Sequence, residues 1–156
     1  MDPRSAPESA RSVLFQLGWE RFGLPLACVL EVLDAPAHQL RPLPGAPAWV
    51  AGVLSHQGHV RPVVRAAALV GGEDRWHPGA ACQVLLAELG GERLGLLVDQ
   101  VEGVEVIRTT GPAREDGRRH AWHRGVLIYL LEPQELAGRI DARAREAQTP
   151  PGAQRV

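Results

Sequence analysis

Six histidines are the side chains of this 156-residue chain best suited to acid–base or metal chemistry, and four of them form two H-x-x-H pairs. His56 with His59 and His120 with His123 could together offer zinc the four nitrogens of a tetrahedral site. Such spacing arises easily by chance, and histidines exposed on turns explain it without a metal. Ser55 next to His56 is the one Ser–His neighbour, with no third group to orient the pair. No GxSxG, HExxH, P-loop or GxGxxG pattern occurs. Glu88, Glu92, Glu102 and Glu105 look like solvated strand and turn positions. Cys28 and Cys82 stand in apolar stretches without CxxC spacing, which reads as two buried thiols and no disulfide. All 17 basic residues are arginine, so Schiff-base and P-loop chemistry have no lysine to work with. The expectation is a protein that is not an enzyme and carries no cofactor and no metal.

A net charge of -1 and an aromatic content of 4% argue against a polyanion binder. Arg118, Arg119 and Arg124 with Trp122 form the sole basic–aromatic cluster. A nucleic-acid-binding barrel using this 118–124 loop is one alternative reading, and a zinc protein using the histidine pairs is the other. No apolar run approaches the roughly 20 residues that span a bilayer. The opening MDPRSAPESARS has no signal-peptide core, so the chain is expected in the cytoplasm.

The elements that would position these residues are short apolar runs separated by turn residues, a pattern of small barrels or sandwiches. Val13–Leu17 and Phe22–Leu26 read as a hairpin around Gly18–Arg21, with Pro25 placing the second strand at an edge or bulge. Residues 27–33 fit a strand or a turn or two of helix. Val50–Leu54 and Val60–Val64 flank a turn carrying Gly58, where φ is expected to be positive. Ala66–Val70 reads as one helical turn ended by Gly71-Gly72, and 71–80 as a loop. Gln83–Glu88 and Leu94–Asp99 form a hairpin across Gly90-Gly91. A polar loop over 108–124 precedes a last strand at 126–131. Pro133 opens a helix with an apolar stripe of Leu136, Ile140 and Ala144. Residues 1–11 and 148–156 read as disordered tails, leaving 12–147 as the domain and about 133–147 as its helix. So much apolar surface on short strands favours a binding module.

Several segments together resemble the CheW family of bacterial chemosensory adaptors. They are VLFQLGWERFGLPL at the start, VLEVL at 29–33, LPGAPAWVAGVLSHQGHVRPVV at 43–64, GERLGLLVDQVEGV at 91–104 and VLIYLLEPQEL at 126–136. The resemblance implies a mostly β fold of two five-stranded SH3-like barrels packed on a shared core, with a C-terminal helix. It implies a non-enzymatic scaffold that couples the cytoplasmic tip of methyl-accepting chemotaxis receptors to the regulatory domain of a CheA-type histidine kinase. Such a protein would act in chemotaxis or motility from the cytoplasm, recruited to receptor arrays.

By this resemblance the receptor groove and turn comprise Val29, Glu31, Val32, Val53, Ser55, His56, Gln57, Gly58, Val98 and Asp99. Glu31 should reach solvent or a cation, and Asp99 should close a turn or face a partner. Val53, Val63, Val64, Leu97 and Val98 are expected in the core, and Trp49 is expected to anchor into it. Two departures stand out. The family's Asn-x-Arg-Gly turn is here Ser55-His56-Gln57-Gly58, so a forked cation is replaced by a neutral amide. The Asp that follows P-V-V is here Arg65. These changes imply an adaptor specialised towards one of its two partners.

Overall fold

A computed structural model describes residues 9–34, 40–72, 74, 77, 82–108 and 119–148. Ten strands make two five-stranded sheets, followed by one long helix. The first sheet takes strands from both ends of the described chain: β1 (Ser9–Leu17), β2 (Glu20–Pro25), β8 (Gln100–Arg108), β9 (Arg119–His123) and β10 (Val126–Leu130). Its order is β8-β1-β2-β10-β9. The second is built from the middle: β3 (Val29–Asp34), β4 (Val50–His56), β5 (His59–Arg65), β6 (Gln83–Leu89) and β7 (Glu92–Val98). Its order is β3-β6-β7-β5-β4. We call them barrel A and barrel B.

Each sheet curls until its edge strands meet. In barrel B the chain just after β3 joins β4 through paired Arg41–Val53 backbone hydrogen bonds of 2.8 Å each. In barrel A, Glu105 on β8 reaches towards His123 and Arg124 on the far edge, each at 3.7 Å. These contacts bring the edges together although no ladder among the described residues pairs β8 with β9 or β3 with β4. The apolar face between the barrels is one cluster: Phe15, Phe22, Leu24 and Leu17 from barrel A meet Leu85, Ala87, Leu94, Leu96 and Val98 from barrel B. Phe15 stacks on Phe22 at 5.8 Å, and Tyr129 continues the stack at 5.7 Å. Each barrel also has an interior cluster, Leu14, Ile107, Ala121 and Ile128 in A, and Leu33, Leu54, Val63, Val84 and Leu97 among others in B.

The hairpins expected around 18–21, 55–59 and 89–93 all form, with strand pairing running closer to the corner and leaving two-residue turns at 18–19, 57–58 and 90–91. The short helix α1 (Ala66–Val70) ends on Gly71 in the left-handed region, as the Gly-Gly pair implied. Helix α2 (Pro133–Gln148) buries Leu136 and half-buries Ile140 and Ala144. Beside this stripe, at i+3 and i+7 from Leu136, Arg139 and Arg143 donate to the Leu69 and Ala68 carbonyls at the end of α1. Cationic donors satisfy the acceptors that a helix C-terminus leaves free.

Three expectations need correction. The stretch 108–124 is not wholly loop: residues 119–123 form β9, a strand with one buried residue, Ala121, which hides its alternation. Pro25 does not put β2 at an edge, because β2 lies between β1 and β10 and the proline stands at its last position. Val53 is half-buried rather than core, while Val63, Val64, Leu97 and Val98 are buried as expected. Residues 27–33 resolve into a 3-10 turn at Leu26–Cys28 and then β3. Of the tails expected to be disordered, residues 9–11 belong to β1 and Gln148 to α2; residues 1–8 and 149–156, Trp76 and Arg118 lie outside the described residues.

Candidate functional site

The β4–β5 hairpin carries the turn singled out from the sequence. His56 pairs with His59, and Gln57 and Gly58 span the corner at φ 50° and 80°. Two successive left-handed residues match the twist of a two-residue hairpin, and glycine takes the second without a Cβ clash. The turn therefore projects an exposed Gln57 side chain, with exposed Ser55 just before it on the strand.

From across the barrel seam, Glu31 on β3 meets His56 Nε2 at 2.6 Å. The Glu31 carboxylate, expected to reach solvent or a cation, is exposed and hydrogen-bonded to an imidazole. Glu31, His56 and Gln57 line one pocket of about 300 Å³ with Leu30, His59, Arg61, Leu86 and Arg93. Strand alternation puts Arg61 on the inward side with Val63, Leu86 with Val84, and Arg93 with Gly95 and Leu97. The pocket is thus the open end of barrel B, and its walls become polar where the apolar interior stops.

The other residues assigned by resemblance are more dispersed. Val29 and Val32 lie on β3 beside Glu31, and Val53 lies in β4 where it bonds Arg41. Val98 is only 1% exposed, deep between the barrels at the far end of β7 from Arg93. Asp99 closes a turn: its carboxylate accepts the Gly18 amide at 2.6 Å. Trp49 is half-buried against the shared core, and its carbonyl accepts the Arg65 amide. Arg65, the charge-reversed position, is neutralised by Asp74 at 2.8 Å. Sequence reading missed Arg61 and Arg93, which the fold brings to the same opening. Their signal was available in the strand phase, since each is an arginine two residues before an inward-facing position.

The two histidine pairs do not converge. His56 and His59 belong to barrel B, whereas His120 and His123 belong to barrel A. Among the described residues no three His, Cys, Asp or Glu side chains gather as a metal site. Cys28 and Cys82 form no disulfide among the described residues. The Cys28 thiol donates to the Pro25 carbonyl at 3.1 Å, and burial pushes it up to about 11. The basic–aromatic cluster also changes character: Trp122 and Arg124 stand exposed on a β-hairpin, and Arg119 is paired with Glu132 at 2.9 Å. No helix among the described residues is long and apolar enough to cross a membrane.

Twin closed barrels on one core, with a charged opening beside a projecting turn, define a class of scaffold that presents surfaces to other proteins. The CheW-like domain family matches residues 11–143, so the chain belongs to that family of chemotaxis scaffolds. It is 28% identical over 144 residues to a probable chemotaxis protein CheW of Rhizobium etli, covering 85% of this chain and 90% of that one. It is 35% identical over 94 residues to protein FrzA of Myxococcus xanthus, covering 60% and 56% of the two chains. Its fold matches the crystal structure of the scaffolding protein TtCheW from Thermoanaerobacter tengcongensis with a TM-score of 0.65 at 21% identity, covering 83% and 92%.

Proposed function

We propose that this scaffold couples the cytoplasmic tip of a methyl-accepting chemotaxis receptor to the regulatory domain of a CheA-type histidine kinase, working in the cytoplasm at receptor arrays. The observation that carries the reading is the β4–β5 turn, held by Gly58 and aimed outward beside the seam pair Glu31–His56. The resemblance to the CheW family supports a receptor contact at this turn. Because Gln57 lacks the forked cation of the family turn, the receptor contact is the one specialised here. A bidentate Arg–carboxylate contact is commonly worth about 1.5–3 kcal/mol.

Co-purification with the cognate receptor fragment and the cognate kinase domain, each supplied alone, tests the reading. Capture of both supports coupling. Capture of the kinase alone identifies a scaffold that has lost its receptor, and capture of neither overturns the proposal. Gln57→Arg should strengthen receptor capture if the receptor keeps the usual acidic partner.

A further inference from the structure

The two barrels repeat one strand plan, and the repeat extends to side chains. Aligning them by hydrogen-bond register sets β1 and β2 on β6 and β7, β10 on β5, β9 on β4, and β8 on β3. Leu14 opposite Gly23 then corresponds to Leu86 opposite Gly95. Glu20-Arg21-Phe22-Gly23-Leu24 falls on Glu92-Arg93-Leu94-Gly95-Leu96, and His123-Arg124-Gly125 on His56-Gln57-Gly58. Arg21 and Arg93 are equivalent arginines at the same end of their barrels.

Their surroundings differ at two positions. On β8 the register shift leaves Glu102 as the extra residue, and Glu102 holds Arg21 at 2.9 Å. On β3 the corresponding shift leaves Leu30 as the extra residue. The acceptor in barrel A is a leucine in barrel B, and Arg93 forms no ion pair among the described residues. Glu88 stands opposite Arg93 on β6 but does not line the opening. The second position is Ile128, buried in barrel A and matched in barrel B by Arg61. Arg61 Nε is shielded from water and lacks a hydrogen-bond partner. A buried donor left unpaired is costly and calls for an explanation. The one carboxylate in the pocket, Glu31, is engaged by His56.

We propose that the opening of barrel B receives an acidic side chain of the receptor tip, held by Arg93 and Arg61 as Glu102 holds Arg21 within barrel A. The proposal rests on the reading that the β4–β5 turn faces the receptor. Leu30 in the opening, and Val32 and Val60 next in sequence to its lining residues Glu31, His59 and Arg61, are 43%, 40% and 69% accessible, which suits a protein side chain flanked by apolar neighbours better than a free ion. The cation missing from the turn is thereby supplied from β5 and β7.

The test titrates the full-length protein with the cognate receptor cytoplasmic fragment and, separately, the kinase regulatory domain. Arg93 is exposed, so Arg93→Glu should fold normally. It should weaken receptor binding at least about tenfold and leave kinase binding unchanged. Arg93→Lys should retain most of the receptor affinity, and Arg21→Gln all of it. Reversing the matching acidic residue of the receptor to lysine should restore binding to Arg93→Glu. Receptor binding by Arg93→Glu within twofold of wild type overturns the pocket while leaving the receptor reading intact. Loss confined to kinase binding overturns the assigned occupant. No receptor binding by the wild type removes the receptor reading and the pocket with it.

Discussion

Barrels A and B follow the same plan, with a central antiparallel hairpin, a parallel neighbour and a second hairpin at the edge. They differ in what they do with their open ends. Barrel A answers its arginine internally through Glu102 and fills the next inward position with Ile128. Barrel B puts Leu30 and Arg61 at those positions and leaves the end charged and open. They also differ at the shared face, where Phe15 of barrel A corresponds by register to Ala87 of barrel B and Phe22 to Leu94. Large rings on one side and small side chains on the other let the two faces interdigitate at the density of a protein interior. At these ends barrel A meets its arginine from within, whereas barrel B keeps Arg93 without an ion pair among the described residues and Arg61 Nε without a hydrogen-bond partner.

Mutations at equivalent positions would sharpen or break this contrast. The largest expected effect is Phe15→Ala, about 3–5 kcal/mol of lost stability, because the Ala87 side cannot fill the cavity. Denaturation should show one transition, with amide protection falling in β6 and β7 together with β1. Separate transitions would mean that the barrels do not share a core energetically. Next comes the glycine pair. A Cβ at Gly95 would lie 2.6 Å from Val84 Cγ1 and 3.1 Å from Val63 Cγ2, whereas at Gly23 its nearest neighbour is the flexible tip of Leu130 at 3.2 Å. Valine is stiff at χ1, so Gly95→Ala should cost about 1–3 kcal/mol. Gly23→Ala should cost about 0.5–1.5 kcal/mol, and equal losses in thermal melts would erase the distinction.

Smaller still is the arginine pair. Arg21→Gln breaks a half-exposed ion pair and should cost about 0.2–1 kcal/mol, diminishing with added salt. Arg93→Gln should change stability by no more than about 0.5 kcal/mol, since Arg93 has no ion pair to lose among the described residues. Smallest at neutral pH, and felt only in alkali, is the effect at the connections leading into the edge strands, where β8 is entered through Asp99 and β3 through Cys28. The Cys28 thiol is raised from 9.0 to about 11, so the folded state binds its proton more tightly than the unfolded state. Stability from this group is complete below pH 9 and declines as pH rises through 11. Cys28→Ala should flatten that decline in a series of melts, and an unchanged slope would show that Cys28 does not cause it.

The hairpins were legible because each is punctuated locally, by Gly18, Gly58 or Gly90-Gly91. The C-terminal helix was legible from its Leu136–Ile140–Ala144 stripe. The parallel contacts of β2 with β10 and of β5 with β7 were not, since nothing local in either strand names a distant partner. Strand β9 escaped notice because only Ala121 faces fully inward among arginine, histidines and an exposed Trp122. At the site, the turn was readable from its glycine and its place in the resemblance. The opening behind it was not, because Arg61 and Arg93 lie 32 positions apart and meet only through the parallel pairing. The E-R-Φ-G-L repeat lay in plain view, but its meaning depends on knowing which strands correspond.

The order of strands along the chain bears on synthesis. Residues 29–98 complete barrel B while β1 and β2 still await β8, β9 and β10. On the ribosome the earliest hairpin therefore waits for the latest-made strands, and the distant pairings it requires make closure slow. The Phe15–Phe22 face of that hairpin packs, in the finished fold, on strands of barrel B that are all synthesised before β8, so its covering surface precedes its remaining strand partners along the polypeptide.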